Sequence, residues 1–283
     1  PLYTSAINID STQVIKARDI ASGTTLPSET TVGTYFINEN ISLPVVSVST
    51  NPENLWDYFK GIYVKGPGAD TIWPYLGANF WQGWTRLGQT EFFDENGNFG
   101  FELTSAIEIQ GNYSKGFPQK GFCISANDDY GEGAINYPIF PNKKAIKKYK
   151  SFNIRNAGSD WNTCHMRDRL NHKAVEKTHV DYMDSRPCVM FLNGQYWGVY
   201  ELREKQDADY IENNHGVKKE NFDLLRFNGD AMQGTNAGFL NMVNFFNTND
   251  VSIQSNYDSA MALIDYENYV DYYATETFIA NWD

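Results

Sequence analysis

The sequence is poor in cysteine, in histidine and in long apolar runs. Its 283 residues include three cysteines, and Cys123, Cys164 and Cys188 are too few and too scattered for a disulfide framework or a CxxC metal site. We expect buried free thiols, with one disulfide bridge as the alternative. No apolar run approaches the roughly 20 residues that a membrane-spanning helix requires. We therefore expect no transmembrane segment.

Basic residues are also fewer than acidic residues. Lys and Arg number 23 against 35 Asp and Glu, which gives a formal net charge of -12. Such a surface repels nucleic acid and anionic membranes, because both bind through Lys and Arg. The 41% of hydrophobic and 15% of aromatic residues suffice for a packed core. The length predicts one large domain plus a small or partial one.

The clearest local structure is a β-hairpin centred on Asn193-Gly194. Apolar runs rich in Val, Phe, Tyr and Trp flank this dipeptide, and Asn-Gly suits a type I′ turn because both central positions need positive φ. The second arm ends in Arg203, Glu204 and Lys205. These charges are typical either of a solvated strand end or of a cleft where chemistry occurs.

Strand patterns dominate the first two-thirds of the chain and helix patterns the end, which predicts an α+β fold. The predicted strands lie at residues 12–17, 32–37, 43–50, 85–93, 100–110, 151–155 and 222–227. The predicted helices lie at 52–59, 163–177, 207–214, 238–246 and 265–280. We expect Met166, Leu170 and Ala174 to share one apolar helix face, and a boundary near residue 40 to separate the first strands from the rest.

Two patterns suggest metal sites and fail on inspection. The turn at residues 94–98 resembles a calcium loop, but Phe99 stands where an EF-hand requires glycine. His165, His172 and His179 recur every seventh residue, and two helical turns separate neighbours by about 10 Å, too far to share one ion. Neither pattern predicts a metal site.

Residues 111–122, GNYSKGFPQKGF, lie between two predicted strands and combine three glycines, a serine and two lysines. Glycine lets backbone amides approach an anion, and lysine adds positive charge, so a phosphate-binding loop is one interpretation. A plain strand connection is the other. The segment is not a Walker A motif, because Phe117 stands where that motif requires lysine.

An ordered series of motifs resembles the CotH kinase family of atypical secreted or spore-associated protein kinases, from about Leu43 to Asp283. The series is LPVVS, NFW, GNYSKGFPQKGF, SFNIRNAGSDW, MRD, FLNGQYWGVYELREK and NWD. Residues 1–40 resemble the last strands of a chitobiase-like β-sandwich repeat, or a linker. The resemblance implies an atypical two-lobed kinase fold over 41–283, with an antiparallel sheet in the N-lobe and a helical, C-terminally incomplete C-lobe.

The resemblance also implies roles for particular residues. Lys120 matches the lysine that holds nucleotide phosphates, and Gly111, Asn112 and Ser114 would form the loop above them. Glu204 would lie near the nucleotide base, at the connection between the lobes. Asp283 matches the catalytic aspartate, a general base for a substrate hydroxyl. We further expect Lys120 to lie in a cleft near an acidic partner, either Glu204 or Asp168.

The helix predicted over residues 265–280 is expected to bury four residues and to direct Asn281 and Asp283 toward that cleft. The four are Val270, Ala274, Thr277 and Phe278.

The family uses ATP and Mg²⁺, so the resemblance implies both. The chain ends before the family's metal-binding Asn and later Asp, so the metal ligands are unknown and we expect this fragment alone to be inactive. The predicted function is transfer of phosphate to Ser or Thr of a secreted or cell-surface bacterial protein, favoured to be basic. The alternatives are a pseudokinase or a glycan- or protein-binding module using the Trp-rich loop at residues 73–84, and a carbohydrate or small-molecule phosphotransferase.

Overall fold

The computed structural model describes residues 2–20, 28–129 and 131–281. The chain divides into two compact units. The barrel unit comprises Pro1–His165 and Ser185–Arg203, and the helical unit comprises Met166–Asp184 and Glu204–Asp283. Strands dominate the barrel unit and α-helices the helical unit, so the mixed helix-and-strand class expected from the sequence is confirmed.

The first two strands form a hairpin of their own on the outside of the barrel unit. Strands β1 (Gln13–Ala17) and β2 (Thr31–Tyr35) pair antiparallel in a two-stranded sheet. The Thr34 amide donates to Glu91 Oε1 over 3.1 Å, and the Thr34 and Ser47 hydroxyls lie 2.7 Å apart. Strand β2 therefore packs on the barrel, and the assignment of residues 1–40 to an upstream β-sandwich stays a prediction.

Seven further strands close into a barrel. They are β3 (Val45–Thr50), β4 (Thr85–Phe93), β5 (Phe99–Gln110), β6 (Gly121–Ala126), β7 (Ser151–Arg155), β8 (Ser185–Leu192) and β9 (Gln195–Glu204). The order around the barrel is β3-β4-β5-β6-β7-β9-β8. The expected antiparallel sheet is wrong in one respect, because β3 also pairs in parallel with β8 and this pairing closes the sheet.

Large apolar side chains pack the barrel. The fully buried members include Phe92, Phe122, Phe140 and Phe152. All six residues of β3 are buried: Val46 and Val48 belong to the main core, whereas Val45 packs in a second cluster with Phe36 next to the N-terminal hairpin. The barrel is thus a packed core and a rigid base for the loops at its ends.

The structure confirms both predicted long hairpins. Asn193 and Gly194 have φ angles of 51° and 79°, as a type I′ turn requires. Asp94 caps the β4–β5 turn by accepting hydrogen bonds from the Asn96 and Asn98 amides. Helix α1 (Pro52–Trp56) is capped by Asn51 and ends before the predicted Phe59, since Asp57 is already extended.

The helical unit contains five α-helices and one small hairpin in its described part. They are α2 (Arg167–Val175), α3 (Ala208–His215), α4 (Ala237–Thr248), α5 (Gln254–Met261), α6 (Tyr266–Phe278), β10 (Leu224–Arg226) and β11 (Asp230–Gln233). Sequence analysis missed α5 and β11. None of the helices in residues 2–20, 28–129 and 131–281 is long and apolar enough to cross a membrane.

Two predicted apolar helix faces are wrong. Helix α2 begins at Arg167 rather than Thr163, because His165 has a φ of 62° that an α-helix cannot accommodate. Met166 and Leu170 are both more than half exposed, and the buried residue of α2 is Val175. The face predicted on α6 is also exposed, and it comprises Val270, Ala274, Thr277 and Phe278. Helical spacing identifies a face and says nothing about what covers it.

None of the three described cysteines forms a disulfide bond. Cys123 and Cys188 are buried, as expected, and burial raises the pKa of the Cys188 thiol to about 12. Cys164 is exposed, and its Sγ lies 3.2 Å from Asp160 Oδ2. The expectation of buried thiols holds for two of the three.

Candidate nucleotide-binding site

The loop between β5 and β6 begins at a glycine that no other residue could replace without strain. Gly111 has a φ of 120°, and a Cβ atom there would lie 2.3 Å from Ser114 Oγ. After Asn112, a single 3₁₀ turn runs from Tyr113 to Gly116. The sequence therefore folds this segment into a compact turn directly before Lys120.

Two buried polar side chains fix the loop to the barrel. Asn156 Nδ2 donates to the carbonyl oxygens of Ser114 (3.2 Å) and Gln119 (2.6 Å). The Tyr63 hydroxyl donates to the Pro118 carbonyl and accepts from the Lys120 amide, with distances of 2.9 and 3.0 Å. These bonds hold both ends of the loop and define the conformation in which it presents Lys120.

Lys120 itself is buried, with 5% of its surface exposed. Its Nζ donates to the carbonyl oxygens of Lys115 (2.6 Å) and Phe117 (3.1 Å). The same atom lies 3.8 Å from the centre of the Phe80 ring and 5.4 Å from that of Tyr63. The ammonium thus has loop carbonyls and aromatic faces around it.

This environment shifts the pKa of Lys120. Burial, and secondarily the positive charge of Lys65, lowers the pKa of Lys120 from 10.5 to about 8. The two carbonyl acceptors and the ring faces oppose that shift, since both favour the charged amine. A buried lysine with a lowered pKa is typical of functional sites.

The arrangement differs from the anion-binding loop considered from the sequence. Carbonyl oxygens, not amides, face the Lys120 ammonium. Among the described residues of the barrel unit, none pairs a carboxylate with Lys120. A phosphate oxygen could reach Nζ after the loop carbonyls of Lys115 and Phe117 are displaced. The predicted proximity of Glu204 or Asp168 stays a prediction.

Aromatic rings surround the outer side of the loop. Phe117 stacks on Trp161 with ring centroids 5.4 Å apart and contacts Trp73 at 5.6 Å. Lys115 Nζ lies 5.6 Å from the Trp81 ring. Two tryptophans of the Trp-rich segment at residues 73–84 therefore support the lysine-bearing loop, which is the covering role that such residues often have.

Glu204 belongs to the helical unit. It is 3% exposed; its Oε2 accepts from the Asp184 amide at 2.8 Å, and its Oε1 accepts from Asn214 Nδ2 at 3.4 Å. The chain passes from the barrel unit to the helical unit between Arg203 and Glu204. Both residues are buried, so their charges are not those of a solvated strand end.

A comparison with known protein families identifies the family of the chain. The model of the CotH kinase protein family matches residues 107–283, which is more than half of the chain. The chain belongs to the CotH kinase family. The matched region begins within β5 and includes the Lys120 loop, Asn156 and the β8–β9 hairpin. No curated protein shows a significant match.

The predicted catalytic aspartate is the last residue of the given sequence. Asp283 lies outside the described residues. Asn281, just before it, folds back onto α6, where its amide donates to the Glu276 carbonyl at 3.0 Å. The direction in which Asp283 points stays a prediction.

Metal ligands do not emerge from the described part of the chain. No group of three or more His, Cys, Asp or Glu side chains there is arranged to hold a metal ion. His179, one of the three regularly spaced histidines, instead places Nδ1 2.8 Å from Asp271 Oδ2. The described residues do not form the Mg²⁺ site that the CotH family implies, so we derive no step through that ion.

Sequence reasoning missed two residues that build the site. Asn156 stands within a motif that carries the family resemblance, SFNIRNAGSDW, but no pattern indicated that its amide would hold the loop. No sequence pattern indicated a role for Tyr63, because it lies 57 residues from Lys120 in a segment without periodicity. Both contacts join segments that are distant in the sequence.

Proposed function

We propose that this CotH kinase domain transfers the γ-phosphoryl group of ATP to a Ser or Thr hydroxyl of an extracytoplasmic protein. The observation that supports this most directly is the Lys120 ammonium, which is buried beneath a loop folded on Gly111 and bonded to two backbone carbonyls. Phosphate oxygens are stronger acceptors than carbonyls for a lysine. ATP would take over those two hydrogen bonds.

The remaining roles follow from the family. Gly111, Asn112 and Ser114 would cover the phosphates, and Glu204 would lie near the base. The passage of the chain between units at Arg203 and Glu204 supports a connection between lobes there. Asp283 would orient the acceptor hydroxyl and remove its proton.

The acceptor is proposed to be a basic, Ser/Thr-rich protein outside the cytoplasm of a bacterium. The net charge of -12 supports this, because an acidic kinase attracts a positively charged substrate over long range. A carbohydrate or small-molecule acceptor gains no such attraction unless it is itself cationic.

A second candidate is a pseudokinase that binds without catalysis. The carbonyl contacts of Lys120 favour it, since they occupy the amine that a kinase needs for ATP. The two candidates differ in the transfer step, and a variant at Asp283 addresses that step without touching Lys120.

Radiolabelled ATP and Mg²⁺ incubated with the intact protein and basic or neutral acceptors provide the test. We expect Asp283→Asn to keep ATP binding and to lower transfer by about 10²-fold or more, because a general base is lost. Full activity in Asp283→Asn would show that Asp283 is not the base. ATP binding by the unmodified protein without transfer to any acceptor would establish the pseudokinase.

A further inference from the structure

A cluster of positive charge interrupts the acidic chain between β6 and β7. Residues 143–150, KKAIKKYK, contain five lysines and no acidic residue, although the chain as a whole carries a net charge of -12. The five form what we call the lysine patch: Lys143, Lys144, Lys147, Lys148 and Lys150. No role considered above for the protein uses them.

The backbone beneath the lysine patch is fixed to the barrel. Phe140 and Tyr149 are buried with ring centroids 5.4 Å apart, and Ile146 packs against the main core. Ile135 and Tyr149 exchange two backbone hydrogen bonds of 2.8 and 3.0 Å. Ile146 and Tyr149 of the segment pack inward, so the exposed lysines project from an ordered surface rather than from a tail.

Three of the five lysines in the patch have no ion pair within the described part of the chain. Lys144, Lys147 and Lys150 are exposed and form no ion pair with any residue in the described ranges. By contrast, Lys60, Lys173 and Lys218 pair with Glu53, Glu176 and Glu212. The acidic residues nearest in sequence before the patch are Asp128, Asp129 and Glu132, and none of them pairs with those three lysines.

We propose that the lysine patch binds an acidic, unstructured segment of a partner polypeptide. A narrow segment would contact mainly the patch, because acidic residues more than about 8 Å away are largely screened at physiological salt. Nucleic acid or an anionic membrane would extend past the patch and meet repulsion from the net charge of -12. The anchored backbone lowers the ordering cost of binding.

Fluorescence anisotropy with a labelled oligoglutamate peptide tests the proposal on the intact protein. The patch variant is Lys144→Gln, Lys147→Gln and Lys150→Gln. The control variant is Lys60→Gln, Lys173→Gln and Lys218→Gln, which removes the same charge from exposed lysines elsewhere. Circular dichroism verifies the fold of both variants, and neither set touches the proposed nucleotide site.

We expect the patch variant to weaken peptide binding by about tenfold, because three exposed charge pairs of modest strength are lost. The salt dependence of binding should fall with it, whereas the control variant should bind like the unmodified protein. Equal weakening in both variants would refute a specific patch. Patch-dependent binding of duplex DNA or of phosphatidylserine vesicles, without peptide binding, would overturn the choice of a polypeptide partner.

Discussion

The substitution Lys120→Met tests how burial of this lysine affects the stability of the folded protein. A pKa lowered from 10.5 to about 8 is equivalent to about 3 kcal/mol favouring the neutral amine in the folded protein. Methionine keeps most of the apolar stem against Phe80 and carries no charge. The substitution also removes the donor of the half-buried Lys115 and Phe117 carbonyls, which costs up to about 1–3 kcal/mol for each carbonyl left unpaired.

The sharper prediction concerns how the difference in unfolding free energy between the unmodified protein and Lys120→Met depends on pH. Between pH 8 and 10.5 the unfolded chain keeps the Lys120 proton that the folded protein releases, so the unfolded state binds more protons there. The stability of the unmodified protein therefore rises with pH through this window relative to Lys120→Met. Across the whole window the relative gain approaches about 3 kcal/mol.

Urea denaturation of both proteins from pH 7 to pH 10.5 measures this difference, and comparing the two cancels the titration of other groups. Lys115→Met is the control, because it removes a half-buried lysine of the same loop. A Lys120→Met difference that stays constant with pH would refute the reasoning. It would mean that the carbonyl and ring contacts hold the amine fully charged.

Three further predictions concern the loop and the helical unit. Gly111→Ala should destabilise the protein by about 1–3 kcal/mol in thermal or urea unfolding, more than Gly97→Ala, because both glycines have positive φ but only Gly111 has a neighbouring atom in the way. Asn156→Ala should cost about 2 kcal/mol, since two half-buried carbonyls lose their donor, and it should speed amide exchange in the loop measured by mass spectrometry. The hydrogen bond to Asp271 raises the pKa of His179 above 6.5. This contact therefore stabilises the fold most below pH 6.5, and its contribution is lost as the pH rises through the pKa of the folded protein. NMR titration should show a lower pKa of His179 in Asp271→Asn, and an unchanged pKa would contradict the contact.

Local patterns predicted the hairpins well because their determinants are adjacent in sequence. Asn193-Gly194 sets the turn and the register of β8 and β9, and Asp94 caps the β4–β5 turn through amides two and four residues away. The helix N-caps at Asn51 and Asp207 follow from the same short-range chemistry. Such features require no knowledge of the tertiary fold.

Closure of the barrel could not be predicted in this way. The β3–β8 pairing joins Val45 to Val189, and no periodicity connects segments so far apart. The burial of Lys120 could not be predicted for a similar reason, because Phe80 and Tyr63, whose rings lie against its ammonium, are distant from it in the sequence. The family resemblance identified Lys120 as important, but its carbonyl partners and lowered pKa follow from the packing.

Protection of Lys120 from amine acylation tests most directly whether this lysine holds nucleotide phosphates. With a pKa near 8, Lys120 should react with an acylating reagent at pH 8 whenever the loop opens, and mass spectrometry quantifies the modified fraction. We predict that a non-hydrolysable ATP analogue with Mg²⁺ protects Lys120 and leaves the exposed Lys144 unaffected, whereas adenosine, which lacks phosphates, protects neither. Acylation of Lys120 at the same rate with and without the analogue, at a concentration that saturates binding, would contradict the account.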